Sequence, residues 1–125
     1  MRLVIGGYAQ GKLDYVLEKY DLEMKQVWNG EIPEKAVNEP VVFYRFHEWM
    51  KKEIMNKKHP EETILNLLKR YSDIVIVSDE IGNGIVPMDV FERQYRERTG
   101  RILIELAKQA ESVERVICGI GQKIK

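Results

Sequence analysis

Near the start of the chain, Gly6-Gly7-Tyr8-Ala9-Gln10-Gly11-Lys12 has the residue types and spacing of a loop that cradles phosphate. It fits the pattern G-x-x-x-x-G-K-[ST] as far as its lysine. Glycines let backbone N–H groups turn inward around an anion, a helix after the loop points its positive end at it, and the lysine reaches the outer phosphates. The residue after the lysine is Leu13, which has no oxygen to offer where a Ser or Thr would hold Mg²⁺. Gly6, Gly7, Gly11, Lys12 and Leu13 are therefore the candidate nucleotide-binding residues, with no metal ligand among them. The same residues also fit a tight strand-to-helix turn with a solvated lysine.

A second group of candidates lies around residue 80. Asp79 and Glu80 follow the run Ile74-Val75-Ile76-Val77-Ser78, at the carboxyl end of a strand, where ligand and catalytic groups gather in parallel sheets. Lys12 and Glu80 are the candidate catalytic pair, although capping of a loop fits the acidic residues equally. Gly82, Gly84, Arg93 and Arg96 come next and are candidates for contact with substrate or phosphate. The arginines, with Arg101, fit the solvated face of a long helix as well. His47 and His59 have no metal-ligand spacing and read as surface or helix-cap residues. No metal site is expected, and the lone Cys118 reads as a small buried residue at a strand end.

Alternating strands and helices must position these groups. Arg2 to Ile5 is a β-branched run that stops at the glycines, and Leu13, Val16, Leu17 and Tyr20 then follow at helical spacing. Residues 21–40, with Gly30, Pro33 and Pro40, read as a connector with a short strand around Lys25 to Trp28. Val41 to Tyr44 is a buried strand, and Phe46, Trp49, Met50 and Ile54 mark a helix after it. Pro60, Glu61 and Glu62 open another helix, which Lys69 and Arg70 close. Ile74 to Val77 has the unbroken apolar character of a central parallel strand. A long helix starts near Asp89, a good N-cap type; Glu114 to Cys118 is the last clear strand, and Gly119 to Lys125 could add an edge strand. The pattern predicts an α/β fold of the P-loop NTPase type, a mostly parallel sheet with helices on both faces.

Composition narrows the function classes. At 125 residues the chain suits one domain over residues 1–125. Its 20 Lys+Arg balance 20 Asp+Glu, so no global field draws it to nucleic acid or to an anionic membrane. Apolar runs are too short to span a bilayer, and no export leader is read at Met1 to Ile5. A single cysteine suits a reducing compartment, and the expected location is cytoplasmic.

Val77 to Pro87, continued by Arg93-Gln94-Tyr95-Arg96 and Gly100-Arg101, resembles the signature block of the adenosylcobinamide kinase/adenosylcobinamide-phosphate guanylyltransferase family. Gly119 to Lys125 resembles that family's C-terminus, Gly6 to Lys12 its phosphate loop, and Val41 to Lys52 its Walker-B strand and tryptophan-bearing helix, with Trp49 on the tryptophan. The resemblance implies ATP or GTP as ligand, a corrinoid alcohol as second substrate and a homo-oligomer, a trimer in the family. Tyr44 stands at the family's Walker-B acid, so with Leu13 a second Mg²⁺ contact is missing. Residues 21–40 contain no histidine, where the family carries its guanylylated one, so guanylyl transfer is expected to be absent. Leu103-Ile104 replaces an Asn-Gln pair, which predicts rebuilt packing or a subunit contact. The alternative reading is a non-catalytic relative that binds a nucleotide, a corrinoid or a partner.

Overall fold

The computed structural model describes residues 1–81 and 89–125. Its strands are β1 (Arg2–Gly6), β2 (Val27–Asn29), β3 (Val41–Tyr44), β4 (Ile74–Asp79), β5 (Ser112–Ile117) and β6 (Ile120–Lys123). Its helices are α1 (Lys12–Lys19), α2 (Phe46–Met55), α3 (Pro60–Arg70) and α4 (Val90–Gln109). The sheet has the order β2-β3-β4-β1-β5-β6. Neighbours run parallel from β2 through β5, and β6 turns back antiparallel on β5 as an edge. This is the α/β architecture expected from the sequence.

The unbroken apolar run of β4 is explained by what covers it. Its side chains alternate between the two faces. Ile74 and Ile76 join Leu3, Phe43, Phe46, Trp49 and Ile64 in one buried cluster, which also takes Tyr95, Ile102 and Leu106 of α4. Val75 and Val77 join Val4, Val42, Val116 and Val16 of α1 in the other. Helices α2, α3 and α4 thus cover one face and α1 the other, so both faces of β4 must be apolar. Aromatic rings meet edge-on in the first cluster, Phe43 with Phe46 at 5.6 Å and Phe43 with Trp49 at 5.5 Å, a favoured arrangement of ring quadrupoles.

Local chemistry sets several boundaries. Asp89 caps α4 by accepting a bond from the Glu92 N–H at 3.0 Å. Pro60 occupies the first turn of α3, where its missing N–H costs nothing. The strand expected from Lys25 begins two residues later, because Met24–Gln26 forms a 3-10 turn closed by a capping box with Glu23. Leu103 is half-buried against the large core and Ile104 is exposed, so the apolar pair divides between packing and surface. Cys118 lies at the end of β5 as expected, yet it is exposed, in the turn before β6 with φ of 50°.

Helix α1 carries the start of the candidate site and is bolted to the sheet by one carboxylate. Glu114 of β5 is buried and accepts hydrogen bonds from the Tyr15 and Tyr20 hydroxyls and from Lys19 Nζ at 2.6 Å. Burial alone would raise its pKa, but the bonds from Lys19 and the two tyrosines outweigh it and hold the carboxyl below its ordinary value. A depressed carboxylate contributes stability that is present above the unfolded pKa and lost as pH falls below it. Glu114→Gln should lower the unfolding free energy by about 1.5–3 kcal/mol at pH 7, the scale of a hydrogen bond to a charged group. The difference from the parent should shrink on acidification below about pH 4.5, the usual glutamate range. Urea unfolding at pH 7 and pH 4 checks both.

Candidate functional site

The carboxyl ends of β1, β4, β3 and β2 lie along one edge of the sheet, and the glycine loop rises from the first of them. Gly6 ends β1 facing the Val116 carbonyl, where an added Cβ would lie only 2.6 Å from that oxygen. Gly11 turns the chain into α1 with φ of 83°, a left-handed conformation that favours glycine. The loop tip is tied to the β5–β6 turn: Gly119 N–H donates to the Gln10 carbonyl at 2.8 Å, and Cys118 N–H to Gln10 Oε1 at 2.8 Å. The two glycine-bearing ends of the chain thereby meet.

Lys12 opens α1 but does not point into water. It is buried, with Nζ donating to the Gly7 carbonyl at 2.6 Å and lying 2.7 Å from Asp79 Oδ1. Sheet register brings this about, since Gly6 and Asp79 are direct partners across β1 and β4. The lysine spans the loop from inside and is neutralised by an acid on the adjacent strand.

Asp79 is held in turn by His47 of α2. The Asp79 N–H donates to His47 Nδ1 at 3.0 Å, and His47 Nε2 lies 3.3 Å from Asp79 Oδ2. Because Nδ1 accepts, the neutral ring carries its proton on Nε2, which lies 3.3 Å from Asp79 Oδ2 and 3.6 Å from Glu48 Oε1. His47 is only 8% exposed, and burial pushes its pKa below the ordinary value although Asp79 and Glu48 oppose the shift. The expectation of a surface or cap histidine suits His59, the exposed residue before α3, but not His47. The spacing of His47, Met50 and Ile54, all buried on α2, was the available signal.

Glu80 is placed differently. Its N–H donates to the Gly6 carbonyl at 2.9 Å, and its carboxylate meets Arg115 of β5, with Oε1 2.7 Å from Nε. Leu13 is half-buried against the valine cluster beneath α1, and Tyr44 borders the same cluster from the end of β3. The two positions that would supply a hydroxyl and an acid to a metal are thus given to apolar packing. Among the described residues no group of three or more His, Cys, Asp or Glu could hold a metal ion. At these two positions Leu13 and Tyr44 offer Mg²⁺ neither a Ser or Thr hydroxyl nor a carboxylate.

A cleft of about 760 Å³ opens over this edge, lined by Tyr8, Lys12, Asn29, Tyr44, Arg45 and Asp79 among others. Tyr8 stands 86% exposed at its rim, and the Arg45 guanidinium stacks over the Tyr44 ring at 5.3 Å. The cleft unites Gly11, Lys12 and Leu13 with Asn29 of β2, Tyr44 of β3 and Asp79 of β4. Arg93 and Arg96 lie in the first turns of α4, Arg93 exposed and Arg96 half-buried, and neither lines the cleft. Arg101 is exposed beside Glu97, 3.4 Å away on the same helix. Gly82 and Gly84 lie outside the described residues. Among the described residues no helix is long and apolar enough to cross a membrane.

Comparison with known proteins adds a family to this geometry. The family model described as cobinamide kinase / cobinamide phosphate guanyltransferase matches residues 31–124. The bifunctional adenosylcobalamin biosynthesis protein CobU of Salmonella typhimurium is 44% identical over 52 residues, or 42% of this chain. CobU of Escherichia coli K12 gives the same identity over the same length. The matched stretch spans 29% of the length of each relative. The family match begins after the glycine loop, so the phosphate-loop assignment rests on the loop's own geometry.

A buried neutral His47 has a consequence for acid stability. The unfolded chain takes up a proton at this residue near pH 6.5 while the folded protein does so only at lower pH, so its contribution is intact above about 6.5 and declines below it. The decline cannot exceed about 1.4 kcal/mol per pH unit for one proton. His47→Asn, which keeps an acceptor for the Asp79 N–H, should flatten the loss between pH 7 and pH 5.5. Denaturant titrations of both proteins measure it, and ring-nitrogen NMR shifts should show unprotonated Nδ1 at neutral pH.

Proposed function

The chain belongs to the cobinamide kinase / cobinamide phosphate guanyltransferase family, and from that premise we propose that it binds ATP or GTP by the phosphates in adenosylcobalamin biosynthesis. The observation that carries this reading is the buried Lys12 ammonium inside a glycine loop, at the positive end of α1 and at the floor of the cleft. Loop amides and Lys12 stabilise phosphate charge, and Tyr8, Tyr44 and Arg45 offer flat surfaces for a planar ring. The metal accompanies the nucleotide only through phosphate oxygens and water, because Leu13 and Tyr44 give it no ligand. A corrinoid alcohol, by relation to the family, is the second ligand, and a homo-oligomer is the expected assembly.

Binding without guanylyl transfer is the activity that this chemistry supports best. Residues 21–40 carry no histidine, and the Nδ1 lone pair of the nearby His47 is taken by the Asp79 N–H. A phosphorus-attacking nucleophile needs a free lone pair within reach of the phosphate. Phosphoryl transfer to a corrinoid alcohol is the second reading, favoured by Lys12 and the loop amides, which suit charge stabilisation in that reaction. A phosphorylation assay with adenosylcobinamide separates the two readings. Denatured protein recovered under alkaline conditions after incubation with α-labelled GTP should carry no label.

Lys12→Ala should weaken ATP or GTP binding by about tenfold or more, the loss of a charge-assisted contact. Replacing Mg²⁺ by a chelator should change the affinity of the parent protein by less than about threefold. Calorimetric titration of both proteins in both conditions checks this, and an unchanged affinity in Lys12→Ala contradicts the reading.

A further inference from the structure

The neutralised lysine raises a question that the binding reading leaves open, namely what happens to Asp79 when phosphate arrives. We infer that the Asp79 carboxylate is an internal competitor for phosphate at Lys12 and that His47 is the positioning residue that holds it there. The inference rests on the reading of Gly6 to Lys12 as a phosphate site.

The geometry for competition is complete in the free protein. Asp79 Oδ1 lies 2.7 Å from Lys12 Nζ, at the distance a phosphate oxygen would take. His47 fixes the competing residue by accepting its N–H at 3.0 Å, and its Nε2 lies 3.3 Å from Oδ2. Oδ2 is thereby turned to α2, and Oδ1 is left for the lysine. An entering phosphate meets a lysine already paired and a carboxylate of its own sign, with no protein-held cation between them. Like charges at this distance in a partly buried site repel strongly. In a site where the acid holds a metal its loss weakens nucleotide binding; here its loss removes the competitor.

Protons act on the same balance. The charged groups facing His47 are Asp79 from β4, Lys12 from α1, Glu48 from α2 and Arg45, the residue before α2. From α4, Tyr95 faces Asp79 and Glu48 as a phenol kept protonated by burial, with Glu92 and Arg96 also acting on it. Added phosphate charge favours proton uptake by His47, since a nearby negative charge stabilises the imidazolium. A proton on the His47 ring weakens the hold of Asp79 on Lys12 by setting a second cation beside the carboxylate. A second ring proton would set Nδ1–H against the Asp79 N–H and break that bond. Phosphate binding and protonation therefore support each other, and nucleotide affinity rises as pH falls.

The test is calorimetric titration with ATP in chelator, from pH 8 to pH 6, on the parent chain, Asp79→Asn, His47→Asn and Lys12→Ala, with circular dichroism to verify folding. Asp79→Asn should bind about tenfold more tightly than the parent at pH 8, the scale of one charge-assisted contact. The parent should gain affinity on acidification and take up protons on binding, read from heats in buffers of different ionisation enthalpy. His47→Asn should lie between the two with a shallower pH profile, which a merely structural role would not produce. Weaker or unchanged binding by Asp79→Asn overturns the inference, and so does a parent affinity independent of pH. If that happens while Lys12→Ala still loses ATP, the phosphate-site reading survives alone. No ATP binding by either the folded parent or Asp79→Asn overturns both.

Discussion

A lysine ammonium buried in a glycine loop needs a counter-charge, and in this protein the sheet supplies it. Strand β4 lies directly beside β1, in a register that sets Asp79 opposite Gly6. The Lys12–Asp79 contact at 2.7 Å follows from that register. A buried pair is tolerated only if its remaining polar atoms are also satisfied. The Gly7 carbonyl accepts from the lysine, and His47 accepts the Asp79 N–H with its Nε2 3.3 Å from the carboxylate. The loop, the end of β4 and the start of α2 are therefore one hydrogen-bonded unit, and the surrounding apolar clusters keep it in register.

The same unit accounts for the apolar substitutions. A hydroxyl after the loop lysine and an acid at the end of β3 would form a divalent-cation site, but here Leu13 and Tyr44 border one valine cluster under α1. Leu13 brings no polar group to this contact, and the half-buried Tyr44 meets the cluster with its ring while also lining the cleft. The acids at the carboxyl end of β4 are paired with protein cations. Asp79 becomes a partner of Lys12, and Glu80 a partner of Arg115.

Much of this was legible in the sequence, because it depends on local pattern. The β-branched run of β4, the Asp89 cap and the glycine loop between strand and helix each carry their signal within a few residues. The choice between Asp79 and Glu80 depends on pairing with Gly6, some seventy residues away in sequence, and alternation along a strand cannot say which face is which. His47 was hidden by Phe46 and Trp49, whose apolar stripe identified the helix but not the buried polar residue within it. Glu114 looked like the start of a strand. Its role comes from Tyr15, Lys19 and Tyr20, which α1 gathers on one side only when it lies against β5.

The central claim is that phosphate takes the place of Asp79 at Lys12 without a protein-held metal. The most direct measurement is a crystal structure of the chain with ATP in chelator. The account predicts phosphate oxygens within hydrogen-bond distance of Lys12 Nζ and the loop amides, and Asp79 turned from Lys12 toward His47. Nucleotide seated elsewhere with the Lys12–Asp79 contact intact, or a cation bridging Asp79 to the phosphates, would contradict it.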